Sequence, residues 1–125
     1  MGILGLGMDI CSVERIQRIL DGPRAERFLE RVYTEAERAL CGARADAASA
    51  YAARFAAKEA LVKALGAPPG LTWQDMEVVR EGGPPRFRLS GVALEEMEKR
   101  RAEALLALTH DAGVAAATVI LQERS

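Results

Sequence analysis

FAAKEALVKALG fills residues 55–66. Ala, Leu, Val and Phe dominate it, and Gly66 followed by Pro68-Pro69-Gly70 supplies a stop. The expectation is the C-terminal part of the longest helix, opened by Asp46 or Ser49 and running to Leu65. The chain has 14 arginines and only three lysines, and two of those lysines, Lys58 and Lys63, lie here. Glu59 and Lys63 are four residues apart and share a helix face. Lys58 points about 100° away and need not share their surroundings.

Upstream, residues 3–8, ILGLGM, are apolar and broken by glycine, which predicts a buried strand whose Gly5 and Gly7 let another backbone come close. Ser12 is the expected N-cap of a short helix, VERIQRIL, that stops before Asp21-Gly22-Pro23. AERFLERVY predicts a second helix. Thr34 with Glu37 is a capping box for a third, closed by Gly42.

Downstream the pattern changes. Residues 76–81, MEVVRE, and 85–90, PRFRLS, alternate and flank the turn Gly82-Gly83-Pro84, so a hairpin is expected. Ser90 is placed as the cap of a polar helix, VALEEMEKRRAEA. LLALTH (105–110) and GVAAATVIL (113–121) predict two more strands joined at Asp111-Ala112-Gly113. Helices first and strands later indicate an α+β fold, with a mainly antiparallel sheet against the long helix. The length of 125 residues fits a single domain, 1–125. A chain this short gains from burying more surface in an oligomer.

The 17 basic and 18 acidic residues nearly cancel, which argues against a general nucleic-acid binder. Cys11, Cys41 and the single histidine form no zinc-ligand spacing, and no disulfide framework is expected. The start, MGILGLGMDI, lacks the basic region of a signal peptide, and its Leu6 breaks the myristoylation pattern. No run reaches membrane-spanning length. The expectation is a soluble, cytoplasmic protein with no membrane partner.

Each polar residue that stands out has two readings. Asp9 after an apolar strand is either a strand-end carboxylate that starts a turn or caps a helix, or one that is paired or bound to a metal. Glu59 and Lys63 are either an exposed ion pair worth roughly 0.2–0.5 kcal/mol or part of a site. His110, at a strand end, is either a surface residue bonded to its own turn or an anion contact or proton acceptor. Arg15, Arg18, Arg24, Arg27 and Arg31 recur at helical spacings. They form either a face for an acidic protein partner or a solvated face balanced by Glu14, Glu26 and Glu30.

The order of three segments joins these signals. GLGMDICSVERI (5–16), ARFAAKEALVKALG (53–66) and LTHDAGVAAATVIL (108–121) together resemble the holo-acyl-carrier-protein synthases, the small bacterial branch of the phosphopantetheinyl transferases. The middle segment matches that family's F-A-x-K-E-A-x-x-K-A-L-G at every specified position. Thr109 stands where the family has serine before the histidine, and it keeps the hydroxyl. Where the family often continues Gly-Thr-Gly after the helix, this chain has Gly66-Ala67-Pro68-Pro69-Gly70.

The resemblance implies transfer of 4′-phosphopantetheine from coenzyme A to a serine of apo acyl carrier protein, with release of 3′,5′-ADP. It implies Mg²⁺ held by Asp9 and Glu59, and Lys63 as the catalytic cation on the pyrophosphate. Arg54, Lys63, Gly66, Pro84, Thr109 and His110 are the implied coenzyme A contacts. His110, Asp111 or a water on the metal takes the serine proton. Arg15 and Arg18 would dock the carrier protein, and homotrimers with shared sites are implied. The resemblance leaves the role of Lys58 open. Two other readings remain at this stage: a non-catalytic adapter for carrier proteins, and a different coenzyme A-dependent transferase.

Overall fold

The structure, a computed structural model, describes residues 2–125. Strand β1 (Ile3–Ser12) leads into helices α1 (Val13–Leu20), α2 (Ala25–Val32), α3 (Glu35–Gly42) and α4 (Ala47–Leu65). A single 3₁₀ turn (Trp73–Asp75) precedes the hairpin of β2 (Met76–Val79) and β3 (Arg86–Leu89). Helix α5 (Gly91–Arg100) and strands β4 (Ala102–Asp111) and β5 (Val114–Glu123) complete the chain. The α+β expectation holds. The main sheet has the order β1-β5-β4, antiparallel throughout, and lies on the 19-residue α4.

Side-chain caps set two of the five α-helix starts, those of α1 and α3. The Ser12 side chain accepts from the Arg15 N–H, and Thr34 and Glu37 form the complete capping box read from the sequence. Two expected caps differ. Ser90 makes no side-chain cap bond, because the Asp75 carboxylate takes the Val92 N–H. Asp46 makes none either, because its carboxylate is bonded to Arg44.

The polar helix expected over residues 92–104 ends at Arg100. Arg101 turns left-handed with φ 53°, and Ala102 already begins β4. Sheet pairing wins there, since Ala102, Glu103 and Ala104 pair with Glu123, Gln122 and Leu121.

Alanine makes α4 thin enough to be central. Ala52, Ala56, Ala57 and Ala60 are fully buried, and β1 and β5 lie against them. The approach of β1 is closer than any side chain permits. A Cβ on Gly7 would stand 1.8 Å from the Ala60 carbonyl oxygen, and one on Gly5 would stand 2.5 Å from that of Ala64. These two glycines therefore allow strand and helix backbones to touch.

The sequence expectation of a buried strand over residues 3–8 needs correction. β1 is longer and only one of its faces is buried. Leu6, Met8 and Ile10 on the other face are 60–65% exposed. Leu6 pairs with Ile120, which pairs with Leu105; Met8, Thr118 and Ala107 form the next row, and Ile10, Ala116 and Thr109 the third. The sheet thus presents a largely apolar outer face that nothing among the described residues covers.

Candidate active site

Alternation along β1 aims Gly7, Asp9 and Cys11 toward α4. Asp9 is not at the strand end. It sits within β1, opposite Ala117, and its side chain is largely covered. Its partner is Lys63, whose Nζ donates to Asp9 Oδ1 at 3.0 Å and to the Met8 carbonyl at 3.0 Å. Lys63 thus reaches across 54 residues of sequence rather than pairing with Glu59, while its ammonium stays half exposed.

Glu59 faces the same group. Burial raises its pKa first and the Asp9 carboxylate raises it further, while Lys63 and Arg15 oppose the shift. Two carboxylates thus repel across a space that one lysine only partly neutralises. No group of three or more His, Cys, Asp or Glu side chains suited to a metal ion exists among the described residues. Two acidic oxygen ligands with open positions suit a hard cation that keeps water and takes ligands from a substrate, not a thiol or imidazole metal.

Beside Glu59 lies a cavity of about 240 Å³ walled by Val62, Pro68, Leu71, Trp73 and Met76. Trp73 stacks on Phe55 of α4 at 5.3 Å between ring centroids. Gly66, with φ 76°, ends α4 in the left-handed region and delivers Ala67 and Pro68 to this wall; it does not itself line the cavity.

A second cavity, about 430 Å³, opens at the N-terminal end of α4. Arg44, Arg54, Arg80, Thr109 and His110 line it. Arg54 is only 8% exposed, and its Nε has no partner. A buried guanidinium with an unused donor, among other cations, is built for an anion. Pro84 lies in the exposed hairpin turn, and it is Pro85 that lines this cavity. Asp111 is exposed at the end of β4.

Arg54 and Glu59 are five residues apart on α4, so they point about 140° apart around the helix. On one chain they line different cavities.

Lys58 belongs to neither cavity. It is fully buried and donates to Glu37 Oε1 at 2.6 Å, the Val32 carbonyl at 2.7 Å and the Trp73 carbonyl at 3.2 Å. Glu37 also accepts from the Thr34 and Val78 N–H groups. Burial lowers the Lys58 pKa, and Glu37 works against that shift. Lys58 is a structural hub, which settles the role its place in the motif left open.

The arginine pattern divides. Arg18, Arg24, Arg27 and Arg31 line one groove of about 710 Å³ with Ile19 and Phe28. Arg18 is ion-paired with Glu14, but Arg24, Arg27 and Arg31 form no ion pair among the described residues. Arg15 lies outside this groove, near enough to Glu59 to lower its pKa.

Sequence reasoning missed Arg44, Arg80 and Pro85 at the second cavity and Trp73 at the first. Only the position of Arg44, three residues before the first residue of α4, offered a local signal. Arg80 and Trp73 arrive through the packing of the hairpin and the 3₁₀ turn.

Residues 5–118 match the family model of the 4′-phosphopantetheinyl transferase superfamily. The holo-[acyl-carrier-protein] synthase of Myxococcus xanthus (strain DK1622) is 80% identical over 124 residues, covering 99% of this chain and 98% of that protein. Among solved structures, the holo-[acyl-carrier-protein] synthase of Neisseria meningitidis superposes with a TM-score of 0.86 at 27% identity, over 98% of this chain and 100% of the other. The holo-(acyl-carrier-protein) synthase of Bacillus anthracis in complex with CoA (3′,5′-ADP) gives 0.79 at 31% identity, over 98% of each chain.

Proposed function

The chain belongs to the 4′-phosphopantetheinyl transferase superfamily, and from that premise we propose how its residues divide the work. The activity is transfer of 4′-phosphopantetheine from coenzyme A to a serine hydroxyl of apo acyl carrier protein. The serine oxygen forms a bond to the phosphorus that carries pantetheine. The bond from that phosphorus to the bridging oxygen breaks, and 3′,5′-ADP leaves with the electron pair. The serine proton passes to a base. The observation that carries the residue assignment is the meeting of Asp9, Glu59 and Lys63, brought from two distant segments to one place.

Asp9 and Glu59 fit Mg²⁺ by donor chemistry and by the mutual repulsion that a divalent cation would relieve. When bound, that ion would offset charge on the pyrophosphate. Lys63 is held by Asp9 and the Met8 carbonyl, so its remaining donor is directed by two fixed contacts; it supplies a compact positive charge to the leaving group. The apolar wall of Val62, Trp73 and Met76 beside Glu59 keeps water from the reacting phosphorus. The cationic cavity of Arg54, Thr109 and His110 takes the nucleotide end of coenzyme A. His110 and Asp111 stand at the rim of the sheet and are the candidates for the proton acceptor. Incubation with apo carrier, coenzyme A and Mg²⁺ should add the phosphopantetheine mass to the carrier. Chelation should stop the reaction, and turnover that survives a chelator would remove the metal from this account.

The working unit is a homotrimer with sites shared between chains. Two observations support it: the uncovered apolar face of Leu6, Met8, Ile10 and Ile120, and the separation of the carboxylates from the phosphate cavity on one chain. A neighbour seated on that face would bring one chain's cavity to the other's carboxylates. Sedimentation should give three times the 13.5 kDa chain mass. Leu6→Asp should lower both mass and activity, and a fully active monomer would overturn the shared site.

The acidic carrier docks on the α1–α2 groove, where Arg24, Arg27 and Arg31 form no ion pair among the described residues and stand beside the apolar Phe28. Arg27→Glu should raise the carrier KM about tenfold and leave the coenzyme A KM unchanged. Arg15→Glu, nearer the carboxylates, should disturb both. An unchanged carrier KM in Arg27→Glu would reject the groove. No helix among the described residues is long and apolar enough to cross a membrane, in keeping with a cytoplasmic enzyme.

A further inference from the structure

The N-terminal end of α4 has no side-chain cap. Asp46 occupies the cap position, and aspartate there ordinarily accepts from the second or third N–H of the helix. Here it makes no such bond. Its carboxylate is turned aside into two hydrogen bonds with Arg44, 2.8 Å from Nε and 3.0 Å from the terminal nitrogen. The first backbone bond at this end runs from the Ala50 N–H to the Asp46 carbonyl at 3.1 Å. The N–H groups of Ala47, Ala48 and Ser49 have no acceptor among the described residues. Asp46, Ser49 and Ala50 line the same cavity as Arg54, Arg80 and His110. Arg54 is a second and independent sign of a ligand, because it is more than nine-tenths buried and its Nε lacks a partner.

We propose that Arg44 is a positioning residue for a ribose phosphomonoester: by holding the Asp46 carboxylate away from its own helix, it keeps the first turn of α4 open to the 3′-phosphate of coenzyme A. This rests on the reading of the cavity as the nucleotide end of the coenzyme A site. The open N–H groups and the helix dipole favour an anion of this kind, and Arg54 adds a fixed cation. Without Arg44, the freed Asp46 carboxylate caps α4. It then occupies the phosphate's donors and puts a negative charge where the phosphate should lie. The arrangement gives up a stabilising cap to preserve a binding site, so stability and binding should move in opposite directions.

The test is calorimetric titration of the assembled full-length protein with 3′,5′-ADP and with 5′-AMP, which lacks the 3′-phosphate. Wild type should prefer 3′,5′-ADP. Arg44→Ala should lose most of that preference and gain slightly in Tm, which a merely structural arginine would not do. Asp46→Ala added to Arg44→Ala should restore binding of 3′,5′-ADP by about five- to tenfold, the effect of removing a competing cap and its charge. The same change in the wild-type background should alter binding by less than about threefold, because Asp46 is already turned away. A double variant no tighter than Arg44→Ala overturns the role of Arg44, while a wild-type preference for 3′,5′-ADP leaves the cavity reading standing. A wild type that does not distinguish the two nucleotides removes that reading, and the inference with it.

Discussion

Glu59→Gln should lower kcat by about 10³-fold at ordinary Mg²⁺, the several kcal/mol of transition-state stabilisation expected from a hard cation on a pyrophosphate. The same variant should melt slightly higher than wild type when both are free of metal. Glu59 carries a pKa raised first by burial and then by Asp9, so the ionised carboxylate costs the native chain stability.

The sign follows from proton binding. With a raised folded pKa, the native chain keeps this proton at pH values where the unfolded chain has lost it. The stabilising contribution is therefore full below the ordinary glutamate range and is lost as pH rises through the raised value. Glutamine, neutral throughout, removes that loss. Metal affinity runs the other way: in wild type, the Mg²⁺ needed for half-maximal turnover should increase as pH falls through the raised Glu59 pKa. Turnover assays with Mg²⁺ titrations at several pH values, with thermal melts in chelator, read both effects. Full activity of Glu59→Gln at low millimolar Mg²⁺ would place the metal elsewhere. A lower metal-free Tm would mean that Glu59 is not held against Asp9.

Lys58→Met should destabilise the fold by about 3–5 kcal/mol, the scale for breaking a buried ion pair and stranding one partner. Natural domains have only roughly 5–15 kcal/mol in total, so this variant should approach the limit of folding. The usual remedy for such pairs, replacing both ions with apolar groups, should fail here. The Lys58 ammonium also satisfies the Val32 and Trp73 carbonyls, and the Glu37 carboxylate satisfies the Thr34 and Val78 N–H groups. Lys58→Met with Glu37→Leu would strand four backbone groups, of which the Val32 carbonyl and the Val78 N–H lie in the core. Urea denaturation of the single and double variants should show that neither recovers wild-type stability. A double variant as stable as wild type would mean that the pair is dispensable and the surroundings repack. Lys58→Arg is expected to fail as well, because a larger planar guanidinium must enter a fully buried space.

Much of the site was legible before any coordinates. The capping box at Thr34 and Glu37, the stop at Gly66 and the glycines of β1 are local rules, so local sequence sufficed. The helix motif named Glu59 and Lys63, and the resemblance added Asp9. The i,i+4 rule suggested Lys63 beside Glu59, yet the ammonium bonds to Asp9 and Met8. A strand lies within its reach, and helix spacing says nothing about strands. The helix expected over residues 92–104 overran β4 because VALEEMEKRRAEA has good helix propensity throughout, whereas pairing with β5 is a long-range choice.

By itself the chain determined its class and its chemistry. A long alanine-rich helix, a glycine-broken strand and three ordered segments lead to an α+β transferase, because secondary structure and motif spacing are written in near neighbours. Only the tertiary structure decided that Lys58 is buried support, that Arg54 and Glu59 line different cavities of one chain, and that Asp46 turns from its own helix to Arg44. The first two depend on packing between segments far apart in sequence, and the third on a choice between two local partners, the helix N–H groups and Arg44. That competition among hydrogen bonds, charges and burial is settled in three dimensions.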